Sequence, residues 1–456
     1  MNDFTKGKIT KQLLSFSLPM FIGNLVQQMY SMVDMIVVGR YVSGSALASV
    51  GISMSVIMFI VSILIGLTTG SSVVISQLFG ARQYDRLKST VSVSIITFLG
   101  ISITLTVLGT TLSPLIFRLL NTSPEIFNNA VIYMRIMMAG VIFPVFYNLY
   151  MAYIRALGDS LRPLYFLICA SIINIFLDLF FVLVLNMGVA GVAIATIIAQ
   201  MISFLLCIIY TYRSIPHLQV RKLVFDSELF KLILKYGTPA ALQLSLTSFA
   251  MLTITRLINS FGSAAMAGIT AANRIDQLAT MPVSSLSAAL STFVAQNMGA
   301  GLEDRARKGF HTGLISMLIY SVFISTVIMV FHNQFISMFL NPNDVNTPEI
   351  LRIGGSFLNI LAMFYFLFAF LFGFNGFFRG VGDAVAAMAL PVFSLAVRTA
   401  AAYSLVIFAG MGPEALAWSI FIGWGISSLA GFIYYKKRLW VGKVAVKDLS
   451  PVETSL

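Results

Sequence analysis

The sequence predicts an all-α integral membrane protein with twelve transmembrane helices, both from its composition and from its length. Of its 456 residues, 58% are hydrophobic and only 10% are charged, whereas globular domains carry about 25% charged residues. A helix of about 20 apolar residues crosses the roughly 30 Å hydrocarbon core of a bilayer, so this chain holds about a dozen spans. The composition excludes a soluble enzyme, a secreted protein and a nucleic-acid-binding protein.

Apolar runs separated by charged residues, proline or glycine define the twelve predicted spans. Their boundaries are set only to within several residues. The spans cover residues 13–39, 45–76, 89–112, 126–154, 163–186, 188–212, 234–260, 264–295, 310–331, 349–378, 385–410 and 414–434.

The basic residues predict the orientation of these spans. Of the 29 lysines and arginines, only Arg40 and Arg118 lie outside if the N-terminus is inside, five lie within spans, and the other 22 lie inside. Cytoplasmic segments retain positive charge. We therefore expect both termini to be cytoplasmic in a multi-pass protein of the cell (plasma or inner) membrane, and the membrane's electrostatics account for the net charge of +12.

The second half of the sequence repeats the first at an offset of 219 to 224 residues. The matching segments are Pro19 and Pro239, 77–81 and 296–300, 85–86 and 304–305, 155–159 and 379–383, and 187–188 and 411–412. Five matches in register indicate an internal duplication. Six spans in each half make the halves parallel, related by a pseudo-twofold axis along the membrane normal, which is a plan that transporters use.

This repeat predicts the domain organisation. Residues 1–218 form an N-terminal six-helix bundle, and residues 219–456 form a C-terminal six-helix bundle with a cytoplasmic tail.

Several motifs resemble those of one transporter family. They are Val33-Asp34-Met-Ile-Val-Val-Gly39-Arg40, the two Gln-x-x-Gly-Ala loops, the two Arg-x-x-Gly-Asp loops, and Asn174-Ile-Phe-Leu-Asp178. Over essentially its whole length the chain is similar to the MATE family of multidrug and toxic compound extrusion transporters. The resemblance implies a V-shaped pair of six-helix bundles that exports amphipathic, often cationic compounds in exchange for protons or sodium ions by alternating access. We expect the partners to be small-molecule amphipathic substrates and membrane lipids, with no nucleic acid and no cofactor other than a proton or sodium ion. We expect a monomer, although the sequence does not determine the oligomeric state.

Three of the 17 acidic residues lie inside spans: Asp34, Asp178 and Asp276. A carboxylate at that depth costs several kcal/mol unless it is neutralised, hydrated or paired, so each is a functional candidate. Asp34 lies about six residues below the outer end of its span and Asp178 about eight, which is roughly 9 Å and 12 Å at 1.5 Å per residue.

Two neutral side chains reach the same level. Thr196 lies about eight residues into the sixth span, and Asn174 shares a helix face with Asp178 because it lies four residues earlier. We expect Asp34, Asn174, Asp178 and Thr196 to form a cation or proton coupling site, and the resemblance implies the same role for them. A hydrogen-bonded packing cluster is the alternative.

The repeat places Ile254 opposite Asp34, Ala402 opposite Asp178 and Arg398 opposite Asn174, so neither carboxylate has an acidic counterpart. The site therefore exists once and is not simply duplicated scaffold. Two carboxylates in a poor dielectric cannot both stay ionised cheaply, so the pair is expected to titrate as a unit.

The coupling ion is open at this stage. A proton needs only the carboxylates, whereas sodium would also use the oxygens of Asn174 and Thr196. Some family members carry a second acidic site in spans 7 and 10, where this chain has only Glu349 at the outer edge of span 10. Protons are therefore favoured.

Asp276 lies about 13 residues into the eighth span, roughly 20 Å from the outer surface. We expect it to recognise charged substrate, because an unpaired carboxylate there needs water or a cationic ligand. A salt bridge to an arginine is the alternative. We also expect Pro19 to mark a hinge in the first span through which protonation of Asp34 is transmitted. Because Pro239 repeats that position without an acidic partner, a shared packing kink is the alternative.

Two other functions remain. A flippase for a lipid-linked precursor would use a cationic cavity, for which Arg256, Arg274 and Arg398 are candidates, but three intramembrane acids oppose it. A membrane enzyme is disfavoured, because the sequence has no phosphate-binding loop, zinc-binding helix or nucleophile elbow.

Overall fold

The computed structural model describes residues 3–340 and 346–448, and within them two sets of seven α-helices follow one another. The first set is α1 (Ile9–Tyr41), α2 (Gly44–Gly80), α3 (Tyr84–Leu119), α4 (Pro124–Ala139), α5 (Ile142–Ala156), α6 (Leu161–Leu179) and α7 (Gly188–Ser214). The second set is α8 (Ser227–Asn259), α9 (Ser263–Gly299), α10 (Glu303–Ser337), α11 (Thr347–Met363), α12 (Tyr365–Val381), α13 (Ala384–Ile407) and α14 (Ala415–Lys436). Corresponding helices match closely in length: α1 and α8 each have 33 residues, and α2 and α9 each have 37.

Among the described residues, ten helical segments are long and apolar enough to cross a membrane. The pairs α4–α5 and α11–α12 bend by 50° and 54°, and counting each pair as one broken span gives twelve. The predicted all-α membrane class is confirmed.

The fourth and tenth spans are bent helix pairs and not single helices. They break at Gly140 and near Phe364, which are equivalent positions of the repeat. A Cβ at Gly140 would lie 2.5 Å from the Ile197 side chain of α7, so glycine allows the close approach of that helix.

The two Arg-x-x-Gly-Asp loops have a structural role. Gly158 and Gly382 adopt φ angles of +86° and +100°, a left-handed conformation that favours glycine and ends a helix. The aspartates that follow accept backbone N–H groups at the start of the next helix, as helix caps do. In each repeat a tyrosine of the last helix donates to that aspartate: Tyr210 to Asp159 at 3.3 Å, and Tyr434 to Asp383 at 2.6 Å.

The described residues form two compact units. The boundaries of these units do not coincide with the boundary between the two helix sets. Among the described residues, unit 1 contains residues 3 and 19–241, and unit 2 contains residues 4–18, 242–340 and 346–448. Helices α1 and α8 therefore each contribute to both units, and Pro19 is the residue of α1 at which unit 1 begins. The domain boundary between residues 218 and 219 stays a prediction from the repeat.

Candidate coupling site

The four residues predicted to form the coupling site all lie in unit 1 and are all buried. Asp34 lies on α1, Asn174 and Asp178 on α6, and Thr196 on α7, and their exposed fractions are 4%, 0%, 0% and 5%. The carboxyl groups of Asp34 and Asp178 lie within side-chain hydrogen-bonding reach of each other.

Several polar atoms of this cluster are buried without a hydrogen bond of normal geometry. They are Oδ1 of Asp34, both carboxyl oxygens of Asp178, and both amide atoms of Asn174. The Thr196 hydroxyl donates to the Val192 carbonyl at 3.0 Å, which leaves its oxygen able to accept or to ligate. Buried polar atoms are nearly always satisfied, so this donor and acceptor set fits a proton or a small cation.

Two tyrosines that the sequence analysis missed complete the cluster. The Tyr30 side chain reaches both Thr196 and Asp34, and fully buried Tyr133 of α4 faces both carboxylates electrostatically. Tyr30 could have been found, because it precedes Asp34 by four residues and shares its helix face. Tyr133 gave no sequence signal, since packing alone brings α4 to the site.

The backbone next to Asp178 is irregular. Helix α6 ends at Leu179 and continues as a single π-helical turn, Phe180–Val184. Such turns are rare in proteins, and those that occur are frequently found at functional sites. The turn begins two residues after Asp178.

The equivalent positions in unit 2 form an apolar core. Ile254, Phe357, Ala402 and Ile420 belong to one hydrophobic cluster with exposed fractions of 4% or less. By the offset of the repeat they correspond to Asp34, Tyr133, Asp178 and Thr196. The counterpart of Asn174 is the charged Arg398. The same scaffold therefore encloses an acidic pair in one unit and apolar residues at the positions of that pair in the other.

A small polar cavity lies further along the same face of α1. Its volume is about 80 Å³, and its lining includes Asn24 and Gln27 of α1, Asn148 of α5 and Gln200 of α7. Gln27 precedes Tyr30 by three residues, so polar side chains continue along one helix face from the acidic pair to this cavity.

Asp276 lies on α9 in unit 2 and is not unpaired, contrary to the premise of the sequence analysis. Tyr365 of α12 donates a hydrogen bond to its Oδ1 at 2.9 Å. Arg398 of α13 interacts with it electrostatically, and the Nε of that arginine is buried without a hydrogen bond. The predicted alternative, a salt bridge to an arginine, named no partner, because Arg398 is distant from Asp276 in sequence.

An all-α membrane protein made of two repeats of six spans, with a buried acidic pair in one of them, has the architecture of a secondary transporter. The family model MatE matches it twice, at residues 19–180 and 239–404. The chain belongs to the MatE family, and it is therefore a transporter and not an enzyme.

The chain is also similar to individual members of this family. It is 30% identical over 440 residues to the probable multidrug resistance protein YpnP of Bacillus subtilis, covering 96% of this chain and 97% of that one. A solved outward-facing multidrug resistance MATE family transporter of the MOP superfamily has a TM-score of 0.89 and 25% identity, covering 96% and 97% of the two chains. A solved MATE in the bent conformation also gives 0.89 at 25% identity, covering 98% of each chain.

We predict that Asp34→Leu raises the free energy of unfolding by about 1–3 kcal/mol, because it removes a buried, incompletely bonded carboxylate and keeps a side chain of similar size. The reverse exchange in unit 2, Ile254→Asp, is expected to lower the free energy of unfolding by about 3–5 kcal/mol, because it buries an uncompensated charge. Denaturant unfolding of both variants in one detergent measures this. Equal destabilisation by both variants would show that the Asp34 carboxylate is a packing element.

Proposed function

We propose that the chain is a secondary active multidrug exporter that exchanges amphipathic, often cationic compounds for protons by alternating access. The observation that carries this proposal is the buried Asp34–Asp178 pair, which has unsatisfied polar atoms in unit 1 and an apolar counterpart in unit 2. An acidic cluster present in only one repeat is not needed for the fold. The multidrug resistance function of the relatives supports the same assignment.

Protons are the proposed coupling ion, with sodium as the alternative. Two adjacent buried carboxylates repel each other when both are charged, so binding one proton relieves the repulsion. Asn174 and Thr196 could also supply neutral oxygens to a sodium ion, so the two ions must be separated by experiment. The polar face of α1 that runs from Asp34 through Tyr30 to Gln27 is the proposed route for the ion.

The orientation and assembly of the protein are part of this proposal. The excess of basic residues on one side supports cytoplasmic termini in the cell membrane. We propose that the transporter acts as a monomer, since both carboxylates of the coupling site come from one chain.

A lipid-precursor flippase is the second candidate, and one contact weakens it. Arg398, one of its three candidate arginines, lies in the field of Asp276. The cationic character that Arg398 would offer a pyrophosphate is therefore reduced.

The first test is transport in proteoliposomes driven by an imposed pH gradient or, separately, by an imposed sodium gradient. The driving force is about 2.3 kcal/mol per charge per 100 mV and about 1.4 kcal/mol per pH unit. We expect efflux of cationic dyes with the pH gradient alone. Efflux driven only by the sodium gradient would identify sodium as the coupling ion. Failure with both gradients would contradict antiport.

In the same assay we predict that Asp34→Asn and Asp178→Asn each abolish uphill efflux while the protein still inserts and folds. An amide keeps the shape of the side chain but loses the group that titrates. Ser55→Ala on the exposed face of α2 is the matched control and should transport normally. Accumulation of substrate against a gradient by either asparagine variant would refute the assignment of coupling to that residue.

For Asp276 we propose a role in recognising substrate charge, assisted by Tyr365. Asp276→Asn should reduce export of singly and doubly charged cations at least about tenfold, which is the effect of losing one interaction of about 1.4 kcal/mol, and should spare neutral compounds. Tyr365→Phe removes only the hydrogen bond and should have a smaller effect of the same kind. Equal loss for all compounds, or loss of folding, would assign Asp276 to a structural contact with Arg398.

We propose that Pro19 is a hinge of α1, because it stands where the helix passes from unit 2 to unit 1. In unit 2 the start of the chain is anchored by Phe4, which packs on Phe16 and Phe293 and whose carbonyl accepts from Arg305 at 3.0 Å. Proline removes one backbone hydrogen bond at that point. Pro19→Ala should slow transport and shift its pH dependence, whereas Pro239→Ala should not shift it. An unchanged pH profile for Pro19→Ala would show that the proline is a packing kink and not a hinge.

A further inference from the structure

A second polar cavity, of about 540 Å³, lies in unit 1 beside the N-terminal end of α3. It is formed by the first turns of α3 and by the segment that follows α7. Its nine lining residues are Lys88, Ser89, Ser92, Pro216, Gln219, Val220, Arg221, Lys222 and Val224.

The lining carries positive charge and hydrogen-bonding groups. Lys88, Arg221 and Lys222 are exposed cations, and none of the nine lining residues is acidic. The Ser89 hydroxyl and the Gln219 side chain add polar groups beside these three cations. Guanidinium and ammonium groups are the usual protein partners of phosphate oxygens.

The walls of this cavity are fixed by hydrogen bonds. The buried Ser92 hydroxyl accepts from the Val224 N–H at 2.7 Å and donates to the Val224 carbonyl at 2.9 Å. Gln219 donates to the Tyr212 carbonyl at 2.6 Å, and the Tyr212 hydroxyl donates to the Val220 carbonyl at 3.1 Å. The segment after α7 is therefore held against α3 and α7, with its cations at the rim.

His217 lies beside this cavity, and the charge of Lys88 affects it. His217 stacks on Tyr84 with ring centroids 4.0 Å apart. Burial and then the charge of Lys88 lower the pKa of His217 below its usual value. At neutral pH the histidine is thus uncharged, and the positive charge of the cavity comes from its three permanent cations.

A cavity in unit 2 at the start of α10 differs in charge. It has a volume of about 600 Å³, and its lining combines Glu303 and Asp304 with Arg305 and Lys308. Of these lining residues only Lys308 corresponds, by the offset of the repeat, to a residue of the first cavity, Ser89. The carboxylates beside its cations make this cavity less suited to an anion than the cavity in unit 1.

Apolar side chains adjoin the cations on the same segment. Leu223, Val224 and Phe225 are 52%, 53% and 52% exposed. Lys88 directly precedes the apolar run of the third span, so the cavity lies at the level of lipid headgroups. Free phosphate makes no use of exposed apolar side chains, whereas a phospholipid has acyl chains next to its phosphate.

We propose that this cavity binds a phosphate-bearing anion, namely the headgroup of an anionic phospholipid. Lys88, Arg221 and Lys222 contact the phosphate, and Leu223 and Phe225 contact the acyl chains. Basic pockets next to membrane spans are suited to this role, because each cation near an anionic surface adds to the affinity. The bound lipid ties the segment between the repeats to the membrane surface.

Native mass spectrometry of the full chain in neutral detergent tests the proposal, with phosphatidylglycerol as probe and phosphatidylcholine as the zwitterionic reference. The variant carries Lys88→Gln, Arg221→Gln and Lys222→Gln. The matched control carries Lys6→Gln, Lys8→Gln and Lys11→Gln, which removes the same charge from exposed residues on the same membrane face, since two spans lie between them. Thermal unfolding verifies that both variants fold.

We expect the cavity variant to lose phosphatidylglycerol affinity at least about tenfold, the control to change less than about threefold, and phosphatidylcholine binding to be unaffected. Equal loss in both variants, or no loss in the cavity variant, would overturn the site.

Two further arms distinguish the source of the phosphate. Leu223→Ser with Phe225→Ser should weaken phosphatidylglycerol binding, and millimolar inorganic phosphate should fail to displace the lipid. If inorganic phosphate displaced the lipid and the serine variant bound normally, the lipid assignment would be overturned in favour of a soluble phosphate compound.

Discussion

The cost of burying two carboxylates side by side inside a helical membrane protein is the constraint on which the remaining features of unit 1 depend. Asp34 and Asp178 are almost fully buried and incompletely hydrogen-bonded. Such groups persist only if a proton, an ion or water satisfies them in part of the working cycle. The π-helical turn after Asp178 and the tyrosines around the pair are best understood as the structure that keeps these groups close together.

The comparison of the two repeats separates scaffold from site. Both repeats break their fourth span at an equivalent position, and both use a left-handed glycine and a capping aspartate to begin the fifth. These features form the fold, so they occur twice. The acidic cluster occurs once, and its counterpart with Ile254 and Phe357 is an apolar core. The duplicated scaffold thus holds an acidic pair in one half and apolar residues at the equivalent positions in the other.

Charge is distributed in unit 2 in a different way. Asp276 is compensated by the Tyr365 hydroxyl and by the field of Arg398, so it costs less to bury than an isolated carboxylate. Asp276 therefore faces a charge of opposite sign within the protein. This property distinguishes it from the pair in unit 1, where like charges face each other.

The sequence by itself determined the features that depend on local composition and spacing. These are the membrane class, the positions of the spans and the duplication, because hydropathy is a property of a single segment. The tertiary structure alone decided which distant side chains meet: Tyr133 with the acidic pair, Arg398 with Asp276, and the segment after α7 with α3. It also decided the breaks in the fourth and tenth spans. The rotation of each helix about its axis and the approach of its neighbours arise from packing between segments, and no local pattern in the sequence records them.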